Sequence, residues 1–408
     1  MNFEEKQVFL LTYLTYVGYY FSRLNFSIAL PEIESDLQYT KAALGLIAAA
    51  FSSSYAVGQF INGQIVDKIG AKRLILAGLT LSIIMSSIFG CVKDPILLMI
   101  IWTINGYAQS TGWPSVIKII SSWFKTSIGT IGGIFGTCFL VGNVITWSLL
   151  GYIIANYGWR SAFLTPSFIL ILVAVIFYLG VREKPERNKQ VPIEPEVSKV
   201  KFGFKQILLS KEIMVISLAY VLLQFIRSGF TLWAPSYLFE TWGLRLDLTG
   251  YVSSIIPLGG IVGSVILGWL SDRTEKLDRQ KITLLSLLFL NFTLFIFCQE
   301  FNLNFQLGII LLFSFGLALY TPHIIMVTVM PLEYKEIYGA AKVAGFIDGL
   351  GYIGTTFADL FIGWIADRQG WNGVMVFLFL TSLVATFLTF MFIIIETNIK
   401  IRNNYEKD

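Results

Sequence analysis

Charge is what this sequence has least of. Only 14% of its 408 residues are Asp, Glu, Lys or Arg, where a soluble globular domain carries about 25%. Histidine is reduced to one residue, His323, and cysteine to three, Cys91, Cys138 and Cys298. One imidazole and three well-separated thiols, each within an apolar run, exclude most metal sites and catalytic triads. The cysteines read as small buried hydrophobes. No nucleophile–base–acid set is visible, so no enzyme is expected and no cofactor or metal is called for. The formal charge of +4 carries no hint of nucleic acid, because most basic residues lie in short loops. What abounds is apolar: 55% hydrophobic residues, 34 Phe and a mean hydropathy of +0.70. The chain reads as a polytopic membrane protein.

A helix needs about 20 apolar residues to cross the hydrocarbon core. Such runs fall at roughly 8–30, 43–65, 74–92, 95–120, 128–155, 159–181, 213–239, 248–270, 282–299, 305–330, 340–366 and 371–395. That makes twelve spans. The one long polar loop splits them six and six, so the expected organisation is a half at 1–181, a linker at 182–211 and a half at 212–408. No cleavable signal peptide is expected, since MNFEEK runs straight into the first span. With both termini cytoplasmic, inside segments hold 22 of the 30 basic residues, eight of them in the linker. The outside loops then hold Lys41, Lys93, Arg160, Arg245 and Arg368, and the spans hold Arg23, Lys118 and Arg227. Both ends are expected inside.

The halves are copies. FSRLNFSIALP at Phe21 returns as FIRSGFTLWAP at Phe225, a shift of 204. GQIVDK at Gly63 is echoed by GWLSDR at Gly268, and GYIIANYGW at Gly151 by GWIADRQGW at Gly363, at shifts of 205 and 212. Two duplicated six-helix halves are a common plan of secondary transporters.

Arg23 and Arg227 are the main clue. An arginine at a helix centre costs about 2.5–3.5 kcal/mol on insertion scales, so something must offset it. Each could pair with a buried acid, Asp348 and Asp359 in span eleven being the candidates. Snorkelling is disfavoured, because neither arginine is near its span's end. The functional alternative is that both guanidinium groups face one cavity and offer planar forks to a phosphate or carboxylate dianion. Tyr16, Tyr19, Tyr20 and Arg23 share a helical face, which suits a wet cavity or, alternatively, an interfacial aromatic belt.

The loop Gly63-x-x-x-Asp67-x-x-Gly70-x-Lys72-Arg73 resembles the signature loop of the major facilitator superfamily, with Asp272 and Arg273 at the repeated position. It is expected to work as a charge-assisted conformational clamp. YVGYYFSRLNFSIALP, QSTGWPSVIKIISSWF, IRSGFTLWAPSYL, GGIVGSVILGWLSDR and VAGFIDGLGYIG are similar to strings of the organophosphate:phosphate antiporter family. The resemblance covers nearly the whole chain. It implies an all-α major facilitator fold of twelve helices in two pseudo-symmetric halves, exchange of an organophosphate for inorganic phosphate, and Arg23 and Arg227 as phosphate ligands with Tyr16 and Tyr20 in the cavity.

Two departures stand out. Gln59, in YAVGQF, lies where members carry a span-two lysine, and Phe139 lies where glycerol-phosphate members carry a span-five histidine. Fewer cations make a less charged, bulkier or carboxylate ligand more plausible. Further candidate site residues are Gln59, Asn143, Tyr320, His323 and Asp348. His323 reads as cavity lining, proton site or packing residue, and Asp348 as proton carrier, arginine partner or packing acid. Asp359, nearer the outer end, is expected to be solvated. Trp113 and Pro114 are expected to bend span four. A monomer in a bacterial inner membrane, acting on a small anion, is the expectation; a proton-coupled carboxylate symporter and a non-transporting sugar-phosphate sensor are the alternatives.

Overall fold

The computed structural model describes residues 3–124, 134–183, 204–271, 276–299, 305–330 and 340–405. Every regular element among them is helical. Nine helical stretches among the described residues are long and apolar enough to cross a membrane. Two broken spans and one merged pair account for the difference from twelve. Span one comes in two pieces, Phe3–Phe21 and Asn25–Leu37, and span four in two, Pro95–Gln109 and Gly112–Trp123. Spans eleven and twelve form one stretch, Ala340–Tyr405, kinked at Gly370. The others are Lys41–Ile69, Ala71–Phe89, Cys138–Tyr157, Ser161–Gly180, Lys211–Trp242, Lys276–Cys298, and the two-part span eight of Leu246–Ser253 and Ile255–Ser271. Span ten, Phe305–Ile324, ends in a π-turn at Ile325–Val329.

The repeated GW motif has a backbone reason. Gly158 sits at φ 77°, ψ 166° and Gly370 at φ 69°, ψ −174°, a region essentially reserved for glycine. Both copies turn the chain between consecutive spans in the same way. Outward faces are apolar, as lipid requires: Phe168, Leu172 and Leu179 of span six are 69%, 64% and 75% exposed.

By packing, the chain forms two units. The first comprises Met1–Ile193, Phe230–Leu258 and Asp359–Arg368, and the second Glu194–Gly229, Gly259–Ala358 and Gln369–Asp408. Within the first, proline and serine work together. Pro235 has no N–H, which frees the Thr231 carbonyl one turn earlier. The Ser27 hydroxyl is shared between the carbonyls of Thr231 (2.8 Å) and Leu232 (2.7 Å). Span eight meets span five at glycine: a Cβ on Gly250 would run into the Trp147 carbonyl and the Gly151 Cα. Asp359 is not solvated as expected. It is 4% exposed and accepts a hydrogen bond from the Ser52 hydroxyl, because Gly45 lets span two press against its backbone.

Charge gathers at the N-terminal end of span two. The Asp367 carboxylate accepts from the backbone N–H groups of Lys41 (3.0 Å) and Ala42 (2.7 Å), while Thr40 Oγ1 accepts from Ala43. These acceptors satisfy helix N-terminal donors that lack intrahelical partners. The Lys41 ammonium lies 2.6 Å from Glu34 and 3.1 Å from Glu240.

In the second unit, span eleven packs on span seven through Gly351 against Tyr220 and Gly354 against the Val221 carbonyl. Spans nine and twelve join through Asn291, whose amide bonds Thr386 at 2.9 Å and whose oxygen accepts from Ser382.

Losing the bidentate cap should weaken the first unit. Asp367→Ala is expected to cost about 1 kcal/mol, read as a melting temperature a few degrees lower in detergent, with Asp367→Asn intermediate. An unchanged melting temperature in Asp367→Ala would remove the cap's structural role.

Candidate anion site

Arg23 does not sit on a continuous helix. Span one is interrupted at Ser22, Arg23 and Leu24, where Ser22 N–H and Arg23 N–H bond the carbonyls of Tyr19 and Tyr20 in tighter three-residue turns. The break turns the guanidinium toward neutral groups. Its Nη1 donates to Tyr20 Oη (3.4 Å) and its Nη2 to Gln109 Oε1 (3.3 Å). The rings of Tyr20 and Tyr55 lie 4.8 and 4.5 Å from its central carbon. Two such contacts away from bulk water stabilise the cation by roughly 2–4 kcal/mol, about the size of the insertion cost.

Both departures from the antiporter pattern fall beside this arginine. Gln59 donates to the Tyr55 hydroxyl at 2.7 Å, so it reaches Arg23 through the ring under it. Phe139 lies against Tyr20, with ring centroids 6.5 Å apart. Tyr16 packs on Trp113 at 5.1 Å and on Tyr20 at 5.8 Å. Tyr19 touches Tyr16, with ring centroids 6.1 Å apart, but its hydroxyl points elsewhere. It is fully buried, and its hydroxyl lies 3.2 Å from both the Ile75 carbonyl and Thr111 Oγ1. Its place is in the packing of spans one, three and four. Asn143 is buried, and its amide oxygen has no hydrogen-bond partner among the described residues.

The break in span four falls at Ser110 and Thr111. Pro114 cannot bond the Ser110 carbonyl, as the sequence led one to expect. Asn62 then donates to Ser110 Oγ at 2.7 Å. Lys118, the third basic residue inside the spans, donates to the Val66 carbonyl at 2.8 Å and so closes the end of span two.

In the signature loop, Gly70 takes φ 94°. Lys72 N–H donates to Glu183 at 3.0 Å, and its ammonium to the Val181 carbonyl at 2.8 Å. Gly63 and Arg73 are exposed. The Asp67 side chain, Asp272 and Arg273 lie outside the described residues.

The second unit holds the other arginine. Span seven runs unbroken through Arg227, whose Nε donates to Gln224 Oε1 one turn back. A further turn back is Tyr220, stacked on the His323 ring at 5.6 Å. The Tyr220 hydroxyl donates to Asp348 Oδ1 at 3.3 Å and lies 3.3 Å from His323 Nδ1. Arg227 is near enough for its charge to act on both His323 and Asp348. Tyr320 packs edge-on to His323 and against Gly260.

The site residues missed in the sequence are Tyr55, Gln109, Tyr220 and Gln224. Three could have been found: Tyr220 and Gln224 are Tyr16 and Tyr20 shifted by 204, and Gln109 opens the QSTGWP string.

The sequence profile of the Major Facilitator Superfamily matches residues 12–329. The chain belongs to the major facilitator superfamily. It is 29% identical over 401 residues to the glycerol-3-phosphate transporter of Bacillus subtilis, covering 93% of this chain and 90% of that one. It is 27% identical over 409 residues to a probable hexose phosphate transport protein of Chlamydia pneumoniae, covering 94% and 90%. These are relatives of the kind the span-one and span-four strings resemble. In structure it superposes with a TM-score of 0.78 and 15% identity on a bacterial homologue of the human lysosomal transporter Spinster, over 96% of this chain and 98% of that one. The major facilitator fold is thereby established for the superfamily member described here.

If the aromatic ring rather than the hydroxyl of Tyr55 holds Arg23, Tyr55→Phe should keep phosphate-induced thermal stabilisation of the purified protein within about threefold in apparent affinity. Tyr55→Leu should weaken it about tenfold, the size of one cation–π contact. Equal losses in both would assign the role to the Gln59–Tyr55 hydrogen bond instead.

Proposed function

We propose that this protein exchanges a phosphorylated metabolite for inorganic phosphate by alternating access, in a bacterial inner membrane with both termini cytoplasmic. One observation carries the reading: a guanidinium lies at a helix break mid-span, oriented by Tyr20, Tyr55 and Gln109. Arg227, its copy, is the second anion ligand. Each fork can grip two phosphoryl oxygens. Tyr16, Tyr20, Gln59 and Phe139 shape the space beside the anion, and the Asn143 amide oxygen takes a hydroxyl of the organic part. The names of both relatives, a glycerol-phosphate and a hexose-phosphate carrier, support the substrate class.

Exchange follows from the charges. A bound dianion neutralises two desolvated cations, so the loaded carrier changes conformation more readily than the empty one. The decisive measurement is counterflow in proteoliposomes: labelled phosphate uptake should require an anion on the far side. It should fall at least a hundredfold in Arg23→Lys and in Arg227→Lys, because an ammonium keeps the charge but loses the fork. Normal exchange in both would overturn the two-arginine site. Binding without counterflow would identify a sensor.

The Tyr220 bridge between His323 and Asp348 favours a second reading, proton-coupled uptake of an anion. Under exchange, Asp348→Asn should retain counterflow without any dependence on a pH gradient. Uptake that needs an inward proton gradient, and loses that dependence in Asp348→Asn, would make symport the function.

A further inference from the structure

The break that displays Arg23 is held open by two asparagines. In an unbroken helix the Phe26 N–H would bond the Ser22 carbonyl four residues earlier. Here both groups are taken by side chains. Phe26 N–H donates to Asn25 Oδ1 at 3.0 Å, and the Ser22 carbonyl accepts from Asn105 Nδ2 of span four at 3.0 Å. Without such partners, backbone groups at this depth have no water to turn to, and the helix would close over the break.

Asn105 is itself fixed from behind. Its Oδ1 accepts from Ser82 Oγ of span three at 2.7 Å. Ser82 in turn accepts from Gln109 Nε2 at 2.9 Å and lies 3.2 Å from Ser22 Oγ. Gln109 is the residue whose other amide atom accepts from Arg23. Ser22, Ser82, Asn105 and Gln109 are all fully buried. The circuit therefore touches the arginine twice, once through the backbone next to it and once through its guanidinium. The second copy is built without this device: the residues 204 after Ser22 and Asn25 are Ile226 and Gly229, and span seven is continuous there.

We propose that Asn105, braced by Ser82, is a positioning residue for anion binding, which keeps span one open at Ser22 so that the Arg23 fork is aimed at its ligand. This rests on Arg23 being an anion ligand. Asn105 touches no substrate; it acts through the shape of the turn that carries Arg23.

The test is Asn105→Asp, nearly isosteric but unable to donate to the Ser22 carbonyl, with Ser82→Ala as the milder change and Arg23→Lys as control. Each is measured by phosphate counterflow and by thermal melting in detergent. Positioning predicts that Asn105→Asp raises KM for phosphate at least tenfold, with maximal rate within about threefold and melting within a few degrees of the parent. Ser82→Ala should raise KM about threefold, and it carries the test if Asn105→Asp does not fold. In the unloaded carrier, the rate of Arg23 modification by phenylglyoxal, read by peptide mass spectrometry, should change several-fold in both variants. An unchanged KM and unchanged Arg23 reactivity in the folded variants, with Arg23→Lys inactive, would overturn the positioning role while sparing the anion site. Lower melting and lower maximal rate at unchanged KM would also overturn it, as a purely structural effect. Normal exchange by Arg23→Lys would instead remove the reading on which it rests.

Discussion

A single positive charge in the hydrocarbon core sets the terms for the first unit. Arg23 costs several kcal/mol to bury. The structure sets aromatic faces and an amide oxygen beside it, which stabilise the cation. The tyrosines of span one, the glutamine that opens QSTGWP and Tyr55 of span two all answer to this constraint.

A second constraint is the backbone. Each helix break exposes peptide groups that lipid cannot hydrate, and each is met by a nearby side chain. Asn25 and Asn105 serve the break at Arg23, the Ser110 and Thr111 hydroxyls bond the Tyr107 and Ala108 carbonyls at the break in span four, and Ser27 caps the carbonyls around Pro235. Several buried polar residues of this membrane protein, unexpected on hydrophobicity alone, are the consequence of its bent helices.

The two copies differ around their arginines. Gly158 and Gly370 keep the same backbone conformation, and Tyr16 and Tyr220 the same place two turns before an arginine. Yet Tyr20 corresponds to Gln224, a broken span to a continuous one, and the aromatic wall around Arg23 to a histidine–tyrosine–aspartate chain near Arg227. The departures Gln59 and Phe139 both lie at the Arg23 side. There an amide and a ring stand where the family resemblance implies an ammonium and an imidazole.

Composition and periodicity sufficed for the all-helical class, because a membrane span is a local property of about 20 residues. The duplication and the two arginines were likewise visible in the sequence, since a charge within an apolar run stands out without any knowledge of contacts. The antiporter strings named the superfamily for the same reason. Partners were not visible. Tyr55 and Gln109 are ordinary residues until spans two and four fold against span one, and Asp359 looked solvated until Gly45 allowed span two to cover it. The break in span one was hidden too, because no proline or glycine lies at Ser22–Leu24. It depends on an asparagine about 80 residues away, and hydrogen bonds across such separations exist only once tertiary packing has brought the helices together.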